Sequence, residues 1–369
     1  VLYDKGTKDE ILPEVEALSV EDAALMNIGG FNPNKGGLAS VIGNASAQVC
    51  GAAGETTQYV KDFPSLVMAD GPAGLRLAKE YYKDEKGAHA IGQSAVPESF
   101  LDYMSKPMIF FMNLFTGGNK GPKEGNKIKY QYCTAIPIGT AIAQSFNTEL
   151  AEMYGDIVGS EMEMFGVHLW LAPALNIHRS IRCGRNFEYF SEDPLISGLM
   201  AAAITEGVQK HPGCGTTIKH YAANNKELNR YTNDSQVSER AMREIYTKGF
   251  GICVKKAQPH AVMTSYNLLN GTHTAEHKGL IGDILRAEYG YEGIVMTDWV
   301  ISMSENKQSA NRNSKPCYVA AAGGDLFMPG GKKDYEDLLA GIKAGDVSEK
   351  QVKINASRVL KMARKLVVK

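Results

Sequence analysis

The 369-residue chain lacks any excess of charge, since its formal net charge is −1. That removes the basic footprint of a nucleic-acid binder and the polybasic face that seeks acidic membranes. No apolar run approaches the roughly 18 residues that a membrane helix needs, so no membrane partner is expected. The opening residues, Val1-Leu2-Tyr3-Asp4-Lys5, show neither a basic segment nor an apolar one of the kind that begins a secretory leader, and no initiator Met. The expectation is a cytoplasmic protein, or a piece of a longer one. Paired cysteines are missing as well. Cys50, Cys133, Cys183, Cys214, Cys253 and Cys317 are scattered with no CxxC spacing, which argues against a zinc ribbon or a disulfide framework. Buried thiols in a reducing compartment fit better. Triplets of the glycosylation type begin at Asn44, Asn233, Asn270 and Asn355, a pattern common by chance.

What is present is ordinary globular material, 44% hydrophobic and 22% charged, and long enough for one large barrel or two ordinary domains. From about residue 165 a strand–loop–helix rhythm is legible. Strands are predicted at His168–Leu175, Thr216–Tyr221, His260–Tyr266, 293–298 and Gly324–Met328, with an opening strand at Ser65–Asp70. Between them lie helical patterns. One is capped by Glu192-Asp193-Pro194, and a second buries Met242, Ile245, Tyr246 and Phe250. A third carries Leu280, Ile281, Ile284 and Leu285 and is stopped by Gly290. Ile142, Phe146, Leu150, Met153 and Ile157 mark a further amphipathic helix. Two closing helices carry Leu338, Leu339 and Ile342, then Val352, Ala356, Val359 and Ala363.

Alternating strands and helices call for a parallel sheet, because parallel neighbours need a crossover. The expected fold is therefore α/β: a single-domain TIM-type (β/α)8 barrel, regular or slightly irregular, over residues 1–369. A doubly wound sheet is the alternative, but no Gly-rich phosphate loop follows the first strand. Residues 79–133 interrupt the rhythm as a long insertion ending in the Gly/Lys-rich Gly117–Lys129, a functional flap or a surface excursion. Residues 1–30 read as helical, with capping boxes at Thr7–Glu10 and Ser19–Asp22.

In a barrel, chemistry gathers at the carboxyl ends of strands. Gly293-Ile294-Val295-Met296-Thr297-Asp298-Trp299 is an apolar run that stops abruptly in a carboxylate and an indole. An ionised carboxylate beside a dry core is costly unless paired or used. Asp298 is read as a nucleophile and Trp299 as a stacking wall. The other strand ends carry Asp70, Arg185, Lys219-His220, and Met263 with Tyr266. Taken singly, Lys219 is a surface lysine, His220 a satisfied core histidine and Asp70 turn chemistry. Together they describe a hydroxyl-rich ligand. Nothing among them suggests a hydride acceptor or a phosphate, so no cofactor is expected.

These motifs carry a resemblance. Asp70-Gly71-Pro72, Gly184-Arg185-Asn186-Phe187-Glu188 with Ser191-Glu192-Asp193-Pro194, Lys219-His220-Tyr221, Ser265-Tyr266-Asn267 and Met296-Thr297-Asp298-Trp299 resemble glycoside hydrolase family 3, within its β-glucosidase branch. The resemblance implies an exo-acting, retaining double displacement on cellobiose-like oligosaccharides or aryl and alkyl β-glucosides, with Asp298 forming a covalent glycosyl-enzyme. It implies that Asp70 binds the distal hydroxyls of the sugar. Arg185, Lys219 and His220 would clamp the neighbouring hydroxyls, and Arg76 and Arg230 would support the rim. Tyr266 would lie beside the nucleophile, Met263 line the floor and Trp299 stack. The cationic neighbours are expected to hold the Asp298 pKa down.

A retaining glycosidase also needs a second carboxyl as acid and base, about 5–5.5 Å from the first. In the family it normally comes from a second α/β domain. Glu188 is expected to pair with Arg185, and Glu192 belongs to a helix cap. The loop after Lys219-His220 has no histidine of the kind the single-domain β-N-acetylglucosaminidase branch uses. The acid/base is therefore expected on another domain or chain. A homo-oligomer is compatible with this reading. Alternatives are a β-xylosidase or other exo-glycosidase of the family, a catalytically incomplete sugar-binding chain, and, remotely, a zinc peptidase through His273-Thr274-Ala275-Glu276-His277.

Overall fold

The computed structural model describes residues 9–31, 46–84, 87–91, 126–301 and 313–367. In chain order the strands are β1 Gly54–Glu55, β2 Val67–Ala69, β3 Glu80–Asp84, β4 Gly87–Ile91, β5 Lys129–Tyr130 and β6 Leu169–Trp170. There follow β7 Gly215–Tyr221, β8 Asp234–Ser235, β9 Ala261–Thr264, β10 Leu268–Leu269, β11 Thr272–His273 and β12 Ile294–Met296. The main sheet has the order β1-β2-β6-β7-β9-β12. Met68 lies opposite Leu169, Leu169 opposite Gly215, Ile218 opposite Val262 and Val262 opposite Val295, all in parallel; β1 is antiparallel to β2. Helices Thr148–Phe165, Pro194–Gln209, Lys248–Ala257 and Gly279–Glu288 supply the crossovers that parallel neighbours require.

Period-two alternation divides the strands into two cores. Val67, Ala69, Trp170, Ile218, Val262 and Val295 pack with the crossover helices. Leu66, Met68, Leu169, Leu171, Met263, Ile294, Met296 and Met328 form a separate cluster on the other face, joined by Met362 and Leu366 of the last helix, Glu349–Leu366. All the crossover helices lie on one side, whereas a doubly wound sheet carries them on both. The architecture is TIM-barrel-like α/β. Removing one of these buried methionine side chains to Ala costs about 2–5 kcal/mol, because the cavity cannot collapse fully.

The expected strand Gly324–Met328 is reduced to isolated bridges, Met296 to Leu326 and Ile28 to Phe327. The cause is local: the Asp325 carboxylate, not a strand carbonyl, accepts the Val295 N–H at 2.7 Å. A third bridge joins Gly29 to Thr56.

The 148–165 helix departs most from expectation. The expected single helix is split into Gly139–Gln144, where Ile142 is buried, and Thr148–Phe165. Phe146 lies exposed between the two with φ +50°. On the longer helix Met153 and Ile157, predicted to face the core, are 62% and 40% exposed. The buried face is Ala151, Gly155, Val158, Gly159 and Met162. Close approach explains the reversal. A Cβ on Gly155 would lie 2.1 Å from the Ile204 carbonyl oxygen, and one on Gly207 2.1 Å from that of Glu152. Small residues let the two helix backbones touch, and the bulky residues turn outward.

A second departure lies at Met242–Tyr246, where the Thr247 N–H reaches the Met242 carbonyl at 2.8 Å. This wide turn inserts one residue and rotates the face. Met242, Thr247 and Phe250 are buried, while Ile245, predicted to be buried, is exposed. Gly290 does stop the helix before it, with φ +71°. At the amino end, the Ser19 hydroxyl accepts from the Asp22 N–H as a capping box requires, and the helix runs Val20–Met26. Thr7 and Lys8 lie outside the described residues.

The 79–133 insertion contains a small antiparallel sheet, β4-β3-β5. Most of Gly117–Lys129 lies outside the described residues. The six cysteines are free, and no described helix is long and apolar enough to cross a membrane.

Candidate active site

Strand β7 is buried along its whole length, so the charges at its end are deliberate features of a dry interior. Lys219, expected in isolation to lie at the surface, is buried; its Nζ donates to Asp70 Oδ1 at 2.9 Å. Asp70 follows β2 and also accepts from Arg76 Nη2 at 2.7 Å. Burial raises the Asp70 pKa, but Lys219 and then Arg76 outweigh it and bring it down to about 2. Arg76 itself is half exposed at the rim. The turn carrying Asp70 is pinned by Trp170, whose indole N–H donates to the Gly71 carbonyl at 2.8 Å.

His220 is fixed through its backbone. Its N–H donates to Asn176 Oδ1 and its carbonyl accepts from Asn176 Nδ2, both at 2.8 Å. The imidazole Nε2 stands 3.6 Å from Asp298 Oδ2, just beyond hydrogen-bond range. Burial, with Arg185, Lys219 and Arg230 adding to it, pushes the His220 pKa well below its usual value. The ring is therefore neutral and available as a hydrogen-bonding group.

Asp298 sits two residues beyond β12. Its Oδ1 accepts the Trp299 N–H at 2.7 Å, while Oδ2 is buried without a hydrogen-bond partner among the described residues. Burial raises its pKa; Arg185, Lys219, the Trp299 N–H and the Tyr266 hydroxyl act in the other direction without prevailing. The expectation that cations hold this carboxyl down is thus reversed. Lys219 spends its charge on Asp70 and Arg185 spends its own on Glu188, so neither fully compensates the loss of water around Asp298.

Arg185 binds Glu188 through Nε, as expected, and leaves Glu188 Oε2 buried without a hydrogen-bond partner among the described residues. Tyr266 lies against Tyr231 in a T-shaped contact, ring centres 4.6 Å apart, with the Arg230 guanidinium 4.3 Å above its ring. Trp299 is positioned by its indole N–H, which donates to the Ala53 carbonyl at 3.0 Å. Its ring passes over Gly54, where a Cβ would come within 3.3 Å of Cζ2. Met263 faces Met296 in register and is buried in the same cluster against which Trp299 packs.

The predicted residues are thus linked by contact in three groups (Arg76, Asp70 and Lys219; His220 and Asp298; Tyr266 and Arg230), while Met263 and Trp299 share one apolar cluster. Sequence reasoning missed Asn176 and Trp170, whose side chains bind the main chain of His220 and Gly71, and Ala53, whose carbonyl accepts from Trp299; a main-chain partner leaves no motif. Among the described acids near the site, Glu188 is committed to Arg185 and Glu227 to Arg230 at 3.2 Å. Glu192 is exposed, and the cap beside it is Asp193, which accepts from the Leu195 N–H.

The zinc-peptidase alternative fails on geometry. His273 ends a short strand, Thr274–Glu276 is a single tight turn, and the helix that would align both histidines is not there. Glu276 Oε1 accepts the Lys315 N–H, and His277 Nδ1 accepts the Leu280 N–H. Among the described residues no three His, Cys, Asp or Glu side chains converge to hold a metal.

Comparison with known proteins identifies the family. The family model described as "Glycosyl hydrolase family 3 N terminal domain" matches residues 120–362. A β-glucosidase of Rhizobium radiobacter is 40% identical over 247 residues, covering 66% of this chain and 29% of that protein. An exo-α-(1→6)-L-arabinopyranosidase of Bifidobacterium breve is 38% identical over 232 residues, covering 63% of this chain and 29% of that protein. The solved structure of β-glucosidase 3B from Thermotoga neapolitana with glucose shares 35% identity at a TM-score of 0.73, covering 94% of this chain and 41% of that one. The chain therefore spans under a third of these curated relatives and about two fifths of the solved chain. With well over half of its residues matched, the chain belongs to glycosyl hydrolase family 3 and corresponds to that family's N-terminal domain.

Proposed function

We propose that the protein to which this chain belongs is a retaining, exo-acting β-glucosidase, and that this chain is its nucleophile-bearing domain. The observation that carries the reading is Asp298, a buried carboxylate with one oxygen lacking a hydrogen-bond partner among the described residues and with Arg185, Lys219, His220 and Tyr266 acting on it. In the first step an Asp298 oxygen bonds to the anomeric carbon as the bond to the leaving oxygen breaks. A second carboxyl, on a separate α/β domain, gives that oxygen its proton. In the second step water attacks the same carbon and returns its proton to the second carboxyl, and Asp298 leaves as the carboxylate.

Asp70, with both oxygens held by cations, is suited to accept from the distal hydroxyls of a terminal sugar. Lys219, Arg185 and neutral His220 serve the hydroxyls between it and Asp298. Trp299 provides the apolar wall, Met263 the floor, and Arg76 and Arg230 the flanks. Contacts that tighten as the ring flattens toward an oxocarbenium ion supply the rate gain. The single-residue bridges at Leu326, Phe327, Ile28 and Thr56 support reading the six-stranded sheet as part of an irregular ring of eight segments. A pentopyranoside is the second substrate reading, favoured by the arabinopyranosidase relative.

Proton NMR of a full-length digest of an aryl β-glucoside tests the mechanism. β-Glucose must appear first and mutarotate afterwards; α-glucose as the first product would refute retention. This chain alone is expected to leave cellobiose intact.

A further inference from the structure

Arg230 is the one predicted contact whose guanidinium is already engaged on several sides. It lies 4.3 Å above the Tyr266 ring and 5.1 Å from that of Tyr231. Its Nη1 donates to Glu227 Oε2 at 3.2 Å and its Nη2 to the Tyr231 hydroxyl at 3.3 Å. The Tyr231 ring meets Tyr266 edge-on at 4.6 Å. Glu227 and Arg230 are three residues apart on one loop, so their pairing is set locally. Asn224, itself buried, donates to the other Glu227 oxygen at 3.4 Å.

Resting on the reading of Asp298 as nucleophile, we propose that Glu227, Arg230 and Tyr231 form a positioning brace for Tyr266. The brace fixes the ring and strengthens its hydroxyl as a donor toward the Asp298 carboxylate. A cation over a phenol face draws density from the ring and stabilises the charge that develops on oxygen as the hydroxyl donates. A stronger donor favours the ionised carboxylate, the form the nucleophile needs. Of the groups facing Asp298, Lys219 is occupied by Asp70, Arg185 by Glu188, and His220 is neutral. The Tyr266 hydroxyl also draws the Asp298 pKa down, and its ring is the one among these groups that the Arg230 guanidinium covers, at 4.3 Å.

A double-mutant cycle in the full-length enzyme tests the brace. Arg230→Met should lower kcat/KM by about tenfold and move the acid limb of its pH profile to higher pH, because Asp298 protonates more readily. In the Tyr266→Phe background the same change should cost less than about twofold and leave the limb where it is. Glu227→Gln, at a partly exposed site that tolerates the change in folding, should shift the limb in the same direction by less. Arg230→Lys should recover part of the loss. If the Arg230 and Tyr266 losses multiply, or if Arg230→Met changes KM alone with the limb unmoved, the brace is wrong. That failure is distinguishable from failure of the nucleophile assignment, which would show as full turnover in Asp298→Asn.

Discussion

Asp70 and Asp298 both stand at the carboxyl ends of strands in one parallel sheet, yet the structure treats them oppositely. Asp70 has a cation on each oxygen, and its pKa falls to about 2. Asp298 has a backbone N–H on one oxygen and no hydrogen-bond partner for the other among the described residues, and burial raises its pKa. The first is a satisfied anion, suited to the binding role proposed for it. The second is left under-solvated, which makes it reactive and costs stability. The proposed function, binding a neutral polyol and attacking it, calls for one carboxylate of each kind.

The largest effect should come from Asp298→Asn, which removes the proposed nucleophile but keeps the shape: turnover should fall on the order of 10⁴-fold. Folded Asp298 holds its proton more tightly than the unfolded chain does. Its favourable contribution is therefore complete below the ordinary value of 3.8 and is lost as pH rises through the raised folded value. Asp298→Asn should then melt at a higher temperature than the parent at pH 7, with the gain vanishing by about pH 3. A variant that is less stable at neutral pH would contradict the cost assigned to this carboxylate.

Asp70→Asn should do the reverse. It strands Lys219 in a buried position and should destabilise the fold by roughly 3 kcal/mol in denaturant titrations at pH 7, besides weakening sugar binding. The stability that Asp70 provides is present above 3.8 and lost as pH falls through about 2. The gap between parent and variant should therefore close in that window. The smallest effect belongs to Arg76→Ala. This partner of Asp70 is half exposed, so the pair should be worth under about 1 kcal/mol, with Asp70 still held by Lys219. Equal losses from Asp70→Asn and Arg76→Ala would show that the rim arginine, not the buried lysine, holds the carboxylate.

The contrast between the two acids was only half legible in the sequence. Both were found, because a carboxylate ending an apolar run is conspicuous and because strand ends in an α/β fold converge. Their charge states were not. The cations near Asp298 are visible in the sequence, but their prior commitment to Asp70 and Glu188 is a property of the folded chain. The same limit shows in the fold. Most strand positions and the crossover order followed from periodicity, whereas the outward turn of Met153 and Ile157 depends on Gly155 and Gly207 letting two backbones meet. Ile245 was misplaced by a single wide turn. Asn176 and Trp170 escaped notice because they hold His220 and the Asp70 turn through main-chain groups, which no spacing of side chains reveals.

The most direct test of the account is to trap the full-length enzyme with a 2-deoxy-2-fluoro-glucoside bearing a good leaving group and locate the label by peptide mass spectrometry. The account predicts a stoichiometric ester on the peptide containing Asp298, released with return of activity when an acceptor sugar is added. An active enzyme labelled on any other carboxylate would contradict it.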